Sequence, residues 1–145
     1  MSDLTFERLR RTNLERSKVW DPTGAEDKTT EDEIDFRDLE LRGEQGELAN
    51  KIKKVVRYIR DMPGGIARDA ALPEIRDELA DIIICVDRVA DCFDIDLGKA
   101  VPEKFNKTSR EKGLTVFMDE AGPGTEAHQG LYRQRPSRAF PGYQP

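Results

Sequence analysis

The chain predicts an all-α fold: a four-helix, bundle-like core followed by an irregular C-terminal tail. Three observations carry this. Apolar residues recur at helical spacing, as in Ile75, Leu79, Ile82, Ile83, Val86 and Val89. No run alternates apolar and polar residues as a half-buried strand would. Apolar and charged residues each make up 37% of 145 residues, a balance suited to helices with thin amphipathic faces.

The first helix is expected over 4–20, "LTFERLRRTNLERSKVW", with Leu4, Leu9 and Leu14 among many arginines. Arg8, Arg10, Arg11 and Arg16 read as a solvated face, with a subunit contact as the second option. Pro22 and Gly24 make a turn, and Thr29 or Thr30 caps a long second helix from about Glu31 to about Arg60. "DMPGGIARDAA" is a loop. The third helix is expected to start near Leu72-Pro73, where proline is tolerated in a first turn, and to end near Phe93. Asp94 or Asp96 caps a shorter fourth helix containing Pro102, and Gly113 stops it. Residues 1–118 thus form one helical domain. Residues 119–145, rich in Gly, Pro and polar residues, read as an irregular tail holding the lone His128.

The totals narrow function. A net charge of −5 and the lack of a basic helix face argue against nucleic-acid binding as the main activity. No apolar run reaches membrane-spanning length. Cys85 and Cys92, seven residues apart on one helix, would stand roughly 10 Å apart, too far for a disulfide. Two free thiols suit a cytoplasmic location. The modest core favours a homodimer or a dimer of dimers.

The acids carry the chemistry. On the third helix Glu74, Glu78 and Asp81 flank the apolar face; on the second, Glu40, Glu44 and Glu47 flank Leu41, Leu48, Ile52, Val55 and Ile59. Two such helices packed antiparallel would bring four to six carboxylates to one seam, where like charges repel unless a cation intervenes. Asp81, in "DELADIII", lies among residues that call for a dry core, which sharpens the need for a partner. An all-carboxylate set suits Mg²⁺, with Mn²⁺ as a substitute. Lys51 and Lys54 continue the second-helix stripe as phosphate contacts or as salt-bridge partners. Gly43 and Gly46 flank Glu44 and suggest either a close approach by backbone or ligand, or a kink. The simplest alternative for all these acids is a solvated charged face.

"GEQGELANKIKK" followed by "RDELADIIICVDRVADCFDIDLGKAVPEKFNKTSREKG" resembles the MazG-type all-α nucleoside triphosphate pyrophosphohydrolases over residues 36–113. Their signature pairs Glu-x-x-Glu on one helix with Glu-x-x-Asp on the next, here Glu44/Glu47 and Glu78/Asp81. The resemblance implies Mg²⁺-dependent cleavage of a (deoxy)nucleoside triphosphate between the α and β phosphates, giving monophosphate and pyrophosphate. It implies that these four acids hold the metal, that Lys104 and Arg110, with Lys54, contact phosphates, and that Asn106 meets sugar or base. Trp20 would stack on the base, with core packing as its alternative. Related expectations are an enzyme acting on phosphoribosyl-ATP or dUTP, or a catalytically silent helical module whose acids bind an ion or a basic partner.

Overall fold

A computed structural model describes residues 4–20 and 31–118. It is all-helical, with α1 (Phe6–Trp20), α2 (Glu31–Ile59), α3 (Arg68–Cys92) and α4 (Leu97–Glu111), and the described residues contain no strand. The expected turn at Pro22-Gly24, the caps at Thr29 or Thr30 and the 119–145 tail lie outside the described residues.

Local chemistry accounts for the helix ends. The Thr5 hydroxyl accepts from the Arg8 amide at 3.1 Å, capping α1. Glu31, Asp32 and Glu33 place negative charge at the positive end of α2. The α2 helix runs unbroken through Gly43 and Gly46, and a Cβ at either would meet nothing within 4 Å. No close approach by another described residue explains them.

Gly65 does have a steric reason: a Cβ there would fall 2.4 Å from the Tyr58 nitrogen. The loop lies against the end of α2, with Ile66 N–H donating to the Lys54 carbonyl at 3.1 Å.

The α3 helix begins at Arg68, four residues before the Leu72-Pro73 start that proline suggested. Pro73 sits inside it and forgoes one backbone bond. The Ala71 amide already reaches the Ala67 carbonyl at 3.1 Å, so the helix is under way before the proline. Of the two cap candidates for α4, Asp96 is the cap, accepting from the Lys99 amide at 3.3 Å. Asp94 instead takes a left-handed φ of 53° in the turn. Gly113, at φ 65°, stops α4 as expected. Its amide reaches Arg110 O and that of Leu114 reaches Ser109 O, the paired bonds of a Schellman ending.

The α2 and α3 helices form an antiparallel pair; α1 lies on α3 and touches α4. The predicted apolar faces of α2 and α3 meet but stay half covered: Ile52, Ile59, Leu79 and Ile83 are exposed. Among the described residues the buried apolar side chains are Ala71, Ala90 and Pro102.

The most buried large side chain is an acid, Asp87, at 1% exposure. It accepts from Arg10 Nε at 3.0 Å and from Asn13 Nδ2 at 2.8 Å. Arg10 also donates to the carbonyls of Asp87 and Ile95, each at 3.2 Å, and to Asp91 at 3.4 Å. Arg10 therefore departs from the solvated face expected for the α1 arginines. Its guanidinium lies under α1, joining α3 to the turn before α4.

Candidate metal centre and adjoining cavity

The antiparallel register of α2 and α3 sets residue 44 opposite residues 78 and 81. Carboxylate oxygens of Glu44, Glu47 and Glu78 all lie within 4.8 Å of one another. Oxygens on opposite sides of a Mg²⁺ ion stand about 4.2 Å apart, twice a bond of ~2.1 Å. Small rotamer changes, or waters in place of one carboxylate, bring this trio into range. The donors are hard oxygens, so the residues fit Mg²⁺ or Mn²⁺.

Electrostatics mark the same place. Partial burial and the charges of Asp81, Glu47, Glu78 and Glu40 hold the Glu44 carboxyl above the usual glutamate range. The neighbouring Cys85 thiol is pushed up by burial and then by Glu40, Glu44 and Asp81. Asp81 thus stands close enough to Glu44 to act on it, though it is not one of the convergent trio. Nor is it in a dry core: Asp81 is exposed. Three consecutive isoleucines sweep about 200° of a helix, so they cannot share one face, and Asp81 falls beside Ile84 at the open side.

Lys51 is bound to Glu74, and its ammonium lies 4.0 Å from Glu78. The hydrogen bond from Lys51 and its charge hold the Glu74 carboxyl below its ordinary range. Lys51 therefore acts as a salt-bridge partner, and Lys54 also lies near Glu74.

A cavity of about 250 Å³ adjoins the acids. Its floor follows Asp81, Ile84, Cys85 and Arg88 along one face of α3, and Arg37, Glu40 and Glu44 along α2. Arg16, Ser17 and Trp20 of α1 close it from above. Trp20 is 83% exposed and forms a rim, so it is not the core residue that a lone tryptophan suggests. Arg37 bonds Glu33 at 2.8 Å and also Glu40. Burial lowers the proton affinity of its guanidinium, but those two carboxylates outweigh that and raise it. Arg88 donates to Ser17 Oγ and, at 3.3 Å, to the Asn13 carbonyl. Burial, followed by the like charge of Arg37, lowers the pKa of Arg88.

The α4 candidates are elsewhere; no α4 residue lines this cavity. Lys104 is exposed. Asn106 is buried and clasps the backbone of Met118, donating to its carbonyl at 2.9 Å and accepting from its amide at 2.8 Å. Arg110 lies over the Phe117 ring at 5.8 Å.

Sequence reasoning did not single out Arg37, Arg88, Asn13 or Asp87. A signal existed for the first two: Arg37 is seven residues before Glu44 and Arg88 seven after Asp81, so each shares a helix face with the acid.

Fold and site together define an all-α protein with an acid cluster opening into an arginine-walled cavity. The chain belongs to the family of the Gene 37 protein of Mycobacterium phage L5. The two are 30% identical over 95 residues, which is 66% of this chain and 80% of that protein. No protein-family model matches the chain, and no solved structure matches it. Among the described residues no helix is long and apolar enough to cross a membrane.

Proposed function

We propose that this chain is a Mg²⁺-dependent nucleoside triphosphate pyrophosphohydrolase, releasing monophosphate and pyrophosphate. The observation that carries the reading is the convergence of Glu44, Glu47 and Glu78 beside a cavity of nucleoside size. Among the described residues only Lys51, at 4.0 Å from Glu78, offsets this charge. Acids at that density are unfavourable without a further cation, and Mg²⁺ characteristically binds a few carboxylates together with substrate phosphates. Bound there, the ion supplies charge neutralisation at phosphorus and a more acidic water. Glu44 or Glu47 takes the proton of the attacking water, Asp81 completes the acid set, and Trp20 stacks on the base at the cavity rim.

The working form is a homodimer or a dimer of dimers in the cytoplasm. Ile52, Ile59, Leu79 and Ile83 continue the α2–α3 apolar seam into solvent, and a second copy covers such a face most simply. Phosphoribosyl-ATP and dUTP are the neighbouring substrate classes.

Incubation of the full chain with a panel of triphosphates and Mg²⁺ tests the reading through pyrophosphate release. Orthophosphate in its place rejects the proposed cleavage site. A catalytically silent module, the rival reading, gives no turnover and an unchanged melting temperature with Mg²⁺ and a non-hydrolysable analogue.

A further inference from the structure

Resting on the nucleotide reading above, we infer that the arginine end of the cavity selects keto bases, guanine foremost, over the amino bases adenine and cytosine. The cavity has two chemically opposite ends. Asp81 and Arg88 are two helical turns apart on α3, about 10 Å along the axis, and Glu44 and Arg37 stand in the same relation on α2. Small-molecule pockets usually measure about 300–1,000 Å³, so a space of about 250 Å³ has room for a base and its sugar but not for a triphosphate as well. With the phosphates at the acids, the base edge reaches the arginines.

That end offers donors. Among the described residues the carboxylate that lines that end is Glu40, which Arg37 engages together with Glu33 outside the lining. Ser17 donates to the Asn13 carbonyl at 2.8 Å and accepts from Arg88. Arg88 Nη2 lies 4.0 Å from Glu33, an ion-pair distance too long for a hydrogen bond. Arg16 Nη2 donates to Asn13 Oδ1 at 3.3 Å. The guanidinium groups that carry no hydrogen bond among the described residues thus include Arg88 Nη2 and the Nε and Nη1 of Arg16, both side chains lining the cavity. Guanine presents O6 and N7, two adjacent acceptors that a guanidinium matches in bidentate fashion, and uracil and thymine present O4. Adenine and cytosine put an amino N–H at the same place, donor against donor. Donors that a bound base encloses and leaves without acceptors disfavour the wrong base.

Trp20 is the chain's single tryptophan and lines the cavity, so its fluorescence reports occupancy without turnover or metal. Titration of the full chain with GMP, IMP, UMP, AMP and CMP should show GMP and IMP binding roughly tenfold to a hundredfold more tightly than AMP. UMP should exceed CMP, and 7-deaza-GMP, which lacks N7, should fall below GMP. Arg88→Met and, separately, Arg16→Met should flatten the ranking, with circular dichroism reporting retention of the helices. The analogue series stands if a variant fails to fold. Equal or inverted affinities for AMP and GMP, or no response to any mononucleotide, overturn the inference. Pyrophosphate release without base preference overturns it while leaving the hydrolase reading intact. The keto preference without any pyrophosphate release supports it and removes the hydrolase reading alone.

Discussion

Asp81 and Asp87 lie six residues apart on α3, and their surroundings are opposite. Asp87 is sealed beneath α1, with one carboxylate oxygen on Arg10 and the other on Asn13. Asp81 is exposed, lines a cavity, and has Glu44 as a near neighbour of its own sign. The first acid is neutralised by its own chain and joins helices. The second belongs to a group whose charge the described residues offset only at the edge, through Lys51 near Glu78. A buried charge that has its partners speaks for architecture. A half-open cluster so little offset supports the ligand proposed above.

The sharpest way to break this contrast is to remove Asp87. Asp87→Ala leaves Arg10 buried without its carboxylate and should lower stability by about 3–5 kcal/mol in urea unfolding. Replacing both members, Arg10→Met with Asp87→Leu, should recover most of that loss, as for other buried pairs exchanged for apolar groups.

The open cluster should behave in reverse. Glu44→Gln should reduce pyrophosphate release roughly 100-fold or more, about 2.7 kcal/mol in activation free energy. Because it relieves repulsion, the folded state should be as stable as the parent or slightly more so. A large loss of stability with unchanged turnover would make the two acid groups equivalent and end the comparison.

Proton linkage gives a smaller effect. The Glu44 pKa is raised in the folded chain, so its protonated form favours folding below the ordinary glutamate value. That contribution disappears as pH rises through the raised value. Melting temperatures without metal should therefore lose this contribution as pH rises above the ordinary glutamate range. Added Mg²⁺ should stabilise most at neutral pH and progressively less on acidification. The smallest expected change is at Lys51. Lys51→Met removes a cation 4.0 Å from Glu78 and should tighten Mg²⁺ binding about two- to fivefold in calorimetric titration.

Much of this was legible from residue order alone. Periodicity and punctuation place α1, α2 and α4 within a residue or two, because Asp96 and Gly113 state their roles locally. The start of α3 is not legible, since proline marks a boundary only where no helix precedes it, and Arg68–Ala71 already form one. The acidic stripes are legible because i, i+3 and i+4 neighbours share a face on any helix. The Arg10–Asn13–Asp87 network is not: it depends on how α1 lies across α3, which no spacing within either helix encodes. The same ignorance hides the arginine wall, to which α1, α2 and α3 each contribute. Asp81 reads as buried only if Ile82, Ile83 and Ile84 all face inward, which helical geometry forbids.

The distance along the chain between Arg10 and Asp87, 77 residues, has a kinetic consequence. The α2 and α3 helices are joined by a short loop and pair through contacts close in sequence, whereas seating α1 requires closing a far longer loop. Contact order therefore predicts that the α2–α3 hairpin assembles first and that α1 docks on it last. Since α1 provides the roof over the cavity, a transient departure of that one helix uncovers the recess while the acidic seam below stays assembled.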